Sequence, residues 1–250
     1  KRTSPPVRLI LKSIDDFNNF KFKIHKSFNK NNEISKIDNL KIIDISCRNF
    51  NNDGEIFKPK NFNIYAGESL VITGPSGCGK SSLLESICGL RKDAFGEILI
   101  EKDRKKNIIK LGGYDRSWAI NKFAYVPQKP YIFDSTIENN IKMFSPLNKL
   151  KNEFYLEILD ICKVKSFLER LPNKDQTKIN MQTNKLSGGQ VQRIAIARAL
   201  ASMRPIILLD ECTSALDQEL SFNIIKDIIH FAKKHKRIVL GVNHNPSIDD

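Results

Sequence analysis

Short apolar runs alternate with amphipathic stretches along most of this 250-residue chain, and the two periodicities divide it into strands and helices. Residues 41–47, 61–65 and 69–73 are of β type. The last run is followed at once by a glycine-rich turn and a helix predicted over 80–89. Further strands are predicted over 96–101 and 122–126. Residues 145–171 read as helices whose apolar face is marked by Phe154, Ile158, Ile161, Phe167, Leu168 and Leu171. A strong helix is predicted over 191–201. Pro205 ends that pattern before a fully apolar strand at 206–209, and a helix over 220–235 leads to a last strand at 238–242. Continuous apolar strands separated by helices argue for a sheet covered on both faces, hence an α/β fold with a parallel core. Residues 145–201 contain no such strands and are expected to form a separate helical subdomain. No internal repeat is visible.

The first 39 residues differ in texture, with nine basic residues against four acidic ones. Ile10, Leu11, Ile14, Phe17 and Phe20 repeat at helical spacing, which reads as a helix followed by a polar linker; a disordered basic tail is the other reading. The expected organisation is a helix and linker over 1–40 and a main domain over 41–248, with the helical subdomain at about 135–201. The chain begins at Lys1 rather than Met, which suggests a piece of a longer polypeptide.

Composition changes this picture only at its margins. With 40% apolar residues the chain can bury a real core. The net charge of +13 fits nucleic acid, an anionic membrane surface, or a coding bias toward Lys and Asn of the kind seen at Asn29-Lys30-Asn31-Asn32. Cys47, Cys78, Cys88, Cys162 and Cys212 are scattered, odd in number and without the paired close spacing of a zinc site, so they read as reduced thiols. No apolar stretch reaches the ~18 residues needed to cross a bilayer, so any membrane spans would have to lie upstream or on another chain.

Three segments carry chemistry. Gly74-Pro75-Ser76-Gly77-Cys78-Gly79-Lys80-Ser81 fits a phosphate-binding loop in full and lies between a predicted strand and a predicted helix. Its glycines let backbone N–H groups turn onto phosphates, Lys80 reaches the terminal phosphates and Ser81 offers an oxygen to Mg²⁺. The apolar strand at 206–209 ends in Asp210-Glu211, placing one carboxylate where it can hold Mg²⁺ and the next where it can polarise an attacking water. Leu186-Ser187-Gly188-Gly189-Gln190 opens a helix and makes a second anion-binding terminus, which one nucleotide does not require.

In this order, the three segments resemble the ATP-binding cassette (ABC) family, over roughly residues 42–247. The resemblance implies a P-loop NTPase core with a mostly parallel sheet, an antiparallel β subdomain and an α-helical subdomain. It implies ATP and Mg²⁺ as ligands, held by Gly74 to Ser81 with Ser82, and by Ser81, Gln128 and Asp210 for the metal. It makes Glu211 the general base, Lys80, Gln128 and His244 its catalytic neighbours, and Phe50 the ring that stacks on adenine, unless Phe50 or the nearby Phe57 is simply core. Ser187, Gly188, Gly189 and Gln190 would act in trans, on the nucleotide held by a second ABC domain. Asp217, in Ser214-Ala215-Leu216-Asp217, would pass between the two sites.

Within the family, residues 135–141 and 167–172 and the leading segment are similar to exporters. The Gly-Glu pair that exporters carry just before the pentad is missing, since residues 181–185 read Met-Gln-Thr-Asn-Lys. Residues 77–82, 127–131, 210–215 and 244–247 look like subfamily D transporters of peroxisomes and lysosomes and their bacterial relatives. The implied partners are a second ABC domain, identical or not, and a transmembrane domain upstream in the same polypeptide. The implied location is a membrane, with the ATPase domain on its cytoplasmic side and no specific nucleic acid. Two alternatives are a soluble ABC ATPase acting on nucleic acid or ribosomes and a stand-alone importer ATPase. The first usually inserts coiled coils or zinc modules, or doubles the cassette; the second starts at Met just before the first strand.

Overall fold

The computed structural model describes residues 37–48, 54–112, 117–146, 150–179 and 186–243. The N-terminal helix, Phe50, residues 181–185 and His244, all named above, lie outside the described residues.

Strands β1 (Asn39–Arg48), β2 (Glu55–Tyr65), β4 (Ala94–Lys102) and β5 (Lys105–Lys110) form an antiparallel sheet in the order β2-β1-β4-β5. Leu40, Ile42, Ile45 and Cys47 of β1 are buried; the period of two shifts phase at Asp44, which has φ 47°. Asn61 holds this bulge: its Oδ1 accepts from the Asp44 N–H at 2.9 Å and its Nδ2 donates to Asp44 Oδ1 at 2.7 Å. The carbonyl thrown out by the bulge lies over Gly96 (φ 114°), where a Cβ would meet Asp44 O at 2.7 Å and Ile43 O at 2.8 Å. Both obstacles are backbone, so Gly96→Ala should destabilise the domain by about 2–4 kcal/mol. A urea denaturation midpoint equal to that of the unmodified chain would contradict the assignment.

Strand β5 carries no apolar alternation, since only Ile109 of its six residues is buried. It exists because Asp103 (φ 49°) and Arg104 (φ 64°) close a two-residue hairpin with positive φ at both positions, the geometry that suits the strand twist.

The second sheet is parallel. Strands β3 (Ser69–Thr73), β6 (Phe123–Val126), β9 (Ile206–Asp210) and β10 (Ile238–Asn243) stand in the order β3-β10-β9-β6. All of β9 is buried, with Ile206 and Leu208 facing the core shared with the antiparallel sheet and helix α1 (Lys80–Ile87). Ile207 and Leu209 face the other core. It is built with α3 (Ile137–Lys142), α4 (Asn152–Ile161), α5 (Lys165–Leu168), α6 (Gly188–Ala201) and α7 (Gln218–His235). A one-turn helix, α2 (Ser117–Ile120), precedes β6. The helical region is not free of strands: β7 (Ser135–Thr136) and β8 (Lys178–Ile179) form a two-residue ladder, too short to show periodicity. These layers are an α/β fold with a four-stranded parallel sheet, a four-stranded antiparallel sheet and a helical part that carries the two-stranded ladder.

Candidate functional site

The phosphate-binding loop follows β3 without a gap and ends at α1. Gly77 (φ 78°) and Gly79 (φ 92°) take conformations that L side chains rarely adopt, and a Cβ at Gly79 would press to 3.2 Å of Ile56 and Phe57. Lys80 is buried (6% exposed) although the loop around it is not, and its Nζ donates to the carbonyls of Gly74 at 2.7 Å and Pro75 at 2.8 Å. The ammonium is therefore already stationed inside the loop, at the positive end of α1.

Asp210 ends β9 and is 3% exposed. Its two oxygens are both engaged: Ser81 Oγ donates to Oδ1 at 2.9 Å and Tyr125 Oη to Oδ2 at 2.9 Å. Burial, then the neighbouring Asp210 charge, push the Tyr125 hydroxyl well above its ordinary pKa, so it remains a donor. Mg²⁺ asks a protein for one or two carboxylates and takes its other ligands from water and phosphate; a buried carboxylate beside a hydroxyl, at the mouth of a phosphate loop, fits it.

Glu211 has φ 47°, an unusual conformation for this side chain. The twist takes the chain out of the ladder one residue after Asp210, while the Glu211 N–H still donates to Val242 O at 3.2 Å. Gln128 Nε2 donates to Glu211 Oε2 at 2.6 Å, so the ends of β6 and β9 meet through these two side chains. Buried Arg198 of α6 donates to the carbonyls of Asn140 (2.7 Å) and Tyr131 (2.8 Å) and lies 5.0 Å over the Phe133 ring. Burial pushes its pKa down to about 10, which leaves the guanidinium charged at neutral pH.

Ser187 caps α6. Its Oγ accepts from the Gln190 N–H at 3.2 Å and its own N–H donates to Gln190 Oε1 at 2.8 Å, a reciprocal capping box. Ser187 and Gly188 are exposed, whereas Gly189 is buried against the turn at 213–216. A Cβ there would lie 3.0 Å from Ala215 O and 2.7 Å from Leu216 Cδ2. Asp217 leaves that turn as the cap of α7, accepting from the Leu220 N–H at 2.9 Å.

The structure thus brings Ser81 to Asp210, Gln128 to Glu211, and the pentad to the segment before Asp217. Phe57 is buried at 8% exposure and belongs to the core. Tyr125, Gln192 and Arg198 were not singled out from the sequence. Tyr125 carried one usable signal, a polar-tipped ring in a short apolar strand leading to Gln128. A cleft of about 980 Å³ runs along β3 and α7, past Val71, Phe222 and Ile229, rather than over Gly74–Lys80. A phosphate site made of backbone N–H groups needs no deep cavity.

Residues 57–214 match the protein family described as ABC transporter, and the chain belongs to that family. ABC transporter B family member 14 of Arabidopsis thaliana is 34% identical over 186 residues, covering 74% of this chain and 14% of that protein. Mycobactin import ATP-binding/permease protein IrtB of Mycolicibacterium smegmatis is 31% identical over 200 residues, covering 80% of this chain and 33% of that protein. The solved structure of a bacterial Atm1-family ABC exporter with ATP bound superposes with a TM-score of 0.69 at 28% identity, over 84% of this chain and 35% of the other. The core is therefore the P-loop NTPase fold. The chain spans only 14–35% of these three relatives, none of which carries the subfamily D name. No helix among the described residues is long and apolar enough to cross a membrane.

Proposed function

We propose that this chain is the ATP-hydrolysing domain of a membrane transporter of exporter-like architecture, working against a second ABC domain, identical or not. The observation that carries the reading is the meeting of Lys80, Ser81–Asp210 and Gln128–Glu211 where the phosphate loop and two parallel strands end. Gly74 to Ser82 grip the phosphate tail, with Lys80 neutralising its end, and Phe50 offers the ring for adenine. Ser81, Asp210 and Gln128 would hold Mg²⁺. Bound there, the metal would offset charge on the terminal phosphates. Glu211 accepts the proton of the attacking water, held in place by the Gln128 amide, and His244 steadies the charge that develops on the departing phosphate.

Ser187, Gly188, Gly189 and Gln190, with Asp217, act on the nucleotide of the second domain. The exposed N-terminus of α6, with its serine-glycine entry and the positive end of the helix dipole, can meet an anion presented from outside the chain. Closing and opening of the pair drive a transmembrane domain, placed upstream in the same polypeptide around the 1–40 linker, with 41–248 as the ATPase domain on the cytoplasmic side. The permease and exporter names of relatives favour transport over a soluble ATPase acting on nucleic acid.

ATP affinity of the chain, measured by calorimetry in Mg²⁺, tests the first step. Lys80→Ala removes a charge-assisted contact and should weaken binding about ten- to hundredfold. Equal affinity in a variant whose melting temperature is also unchanged would remove Lys80 from the phosphate site.

A further inference from the structure

Gln192 lies one turn into α6 and is 4% exposed, between half-buried Val191 and Arg193 and ahead of buried Ile194, Ala195 and Ile196. Leu would fill such a position without polar cost, so the amide calls for a reason. Its Oε1 accepts from the Ala215 N–H at 2.9 Å, and its Nε2 donates to Ser214 Oγ at 2.9 Å and to the Gln128 carbonyl at 3.5 Å. Three segments converge on one side chain: the helix that begins with the serine-glycine turn, the turn at 213–216, and the strand end that carries Gln128.

The rest of the packing agrees. A Cβ at Gly189 would lie 3.0 Å from Ala215 O, so helix and turn pack tightly, and Thr213 Oγ1 accepts from Ser221 Oγ at 2.8 Å, anchoring the start of the turn on α7. The two 2.9 Å bonds hold the turn to the helix. The 3.5 Å contact to Gln128 stands at the limit of a hydrogen bond, and a small movement of the strand end makes or breaks it.

We infer that Gln192 is a positioning residue. It locks the serine-glycine turn and the 214–217 turn into one body and links that body to the strand end of this chain's own nucleotide site. The inference rests on the pairing of two domains proposed above. In such a pair, the two turns face the partner's nucleotide while Gln128 faces the chain's own, so Gln192 carries the state of one site to the other.

The test uses the 250-residue chain in a Glu211→Gln background, followed by calorimetry with Mg·ATP, thermal melting, and sedimentation velocity for ATP-driven association. Gln192→Leu should leave the ATP affinity of the dilute monomer within about twofold, while association weakens about ten- to hundredfold, the range expected when the two hydrogen bonds that hold the turn to the helix are lost. Gln192→Glu keeps the acceptor for Ala215 and should recover part of the loss. Ser214→Ala should weaken association severalfold, and adding it to Gln192→Leu should cost little more, because the two act as a unit. Ser214 is exposed, so its variant folds even if Gln192→Leu does not. Unchanged association in Gln192→Leu or Ser214→Ala, additive losses, or a fall in monomer affinity that tracks a fall in melting temperature would each overturn the inference. If the Glu211→Gln parent itself fails to associate with ATP, the pairing of domains fails first and this inference falls with it.

Discussion

Glu211→Gln is expected to retain Mg·ATP binding while steady-state hydrolysis falls by about 10²–10⁴, the range a positioned general base contributes. The substitution is nearly isosteric, and its amide oxygen still accepts from Gln128 Nε2, which donates to Oε2 at 2.6 Å in the native site. The backbone at this position already has φ 47°, so neither side chain is favoured by conformation. What changes is basicity alone. ATP therefore stays bound and the closed pair accumulates, visible as a nucleotide-dependent dimer in sedimentation. Phosphate release at the native rate would take the proton-accepting role away from Glu211.

Gly188→Asp is expected to abolish most hydrolysis by the paired domains without harming the monomer. Gly188 is exposed at the first position of α6, where a Cβ meets only Ala215 Cβ at 3.3 Å, and an acidic residue there suits the helix dipole. Folding should survive. A carboxylate ~4 Å from a terminal phosphate, however, costs about 4 kcal/mol at an effective dielectric near 20, or about a thousandfold. Calorimetry of the dilute monomer should show native ATP affinity beside the lost turnover. Loss of both together would mean that the serine-glycine turn serves the nucleotide of its own chain.

The pattern of apolar positions located the parallel core well because strands such as β9, buried along its whole length, must be continuously apolar. It missed β5, whose edge position leaves one buried residue, and it missed the two-residue ladder of β7 and β8. Element ends also moved: α6 starts at Gly188, inside the pentad, because the Ser187 capping box winds the glycines into its first turn. Pairings across the site were less visible still. Ser81 and Asp210 are 129 positions apart and Gln192 and Ser214 are 22 apart, separations that leave no periodic trace.

The amino-acid order by itself determined which local chemistry is present: a glycine loop ending in Lys80-Ser81, two carboxylates after an apolar strand, and a serine-glycine helix entry. Each is a property of consecutive residues, set by backbone freedom, strand burial or capping. Only the tertiary structure decided which of them meet. Tyr125 holds the second oxygen of Asp210, and Gln128 reaches Glu211. Gln192 ties the serine-glycine turn to the turn before Asp217. The reason is physical: a buried polar group must find its partner in space, and which distant segment supplies that partner is settled by how the layers pack.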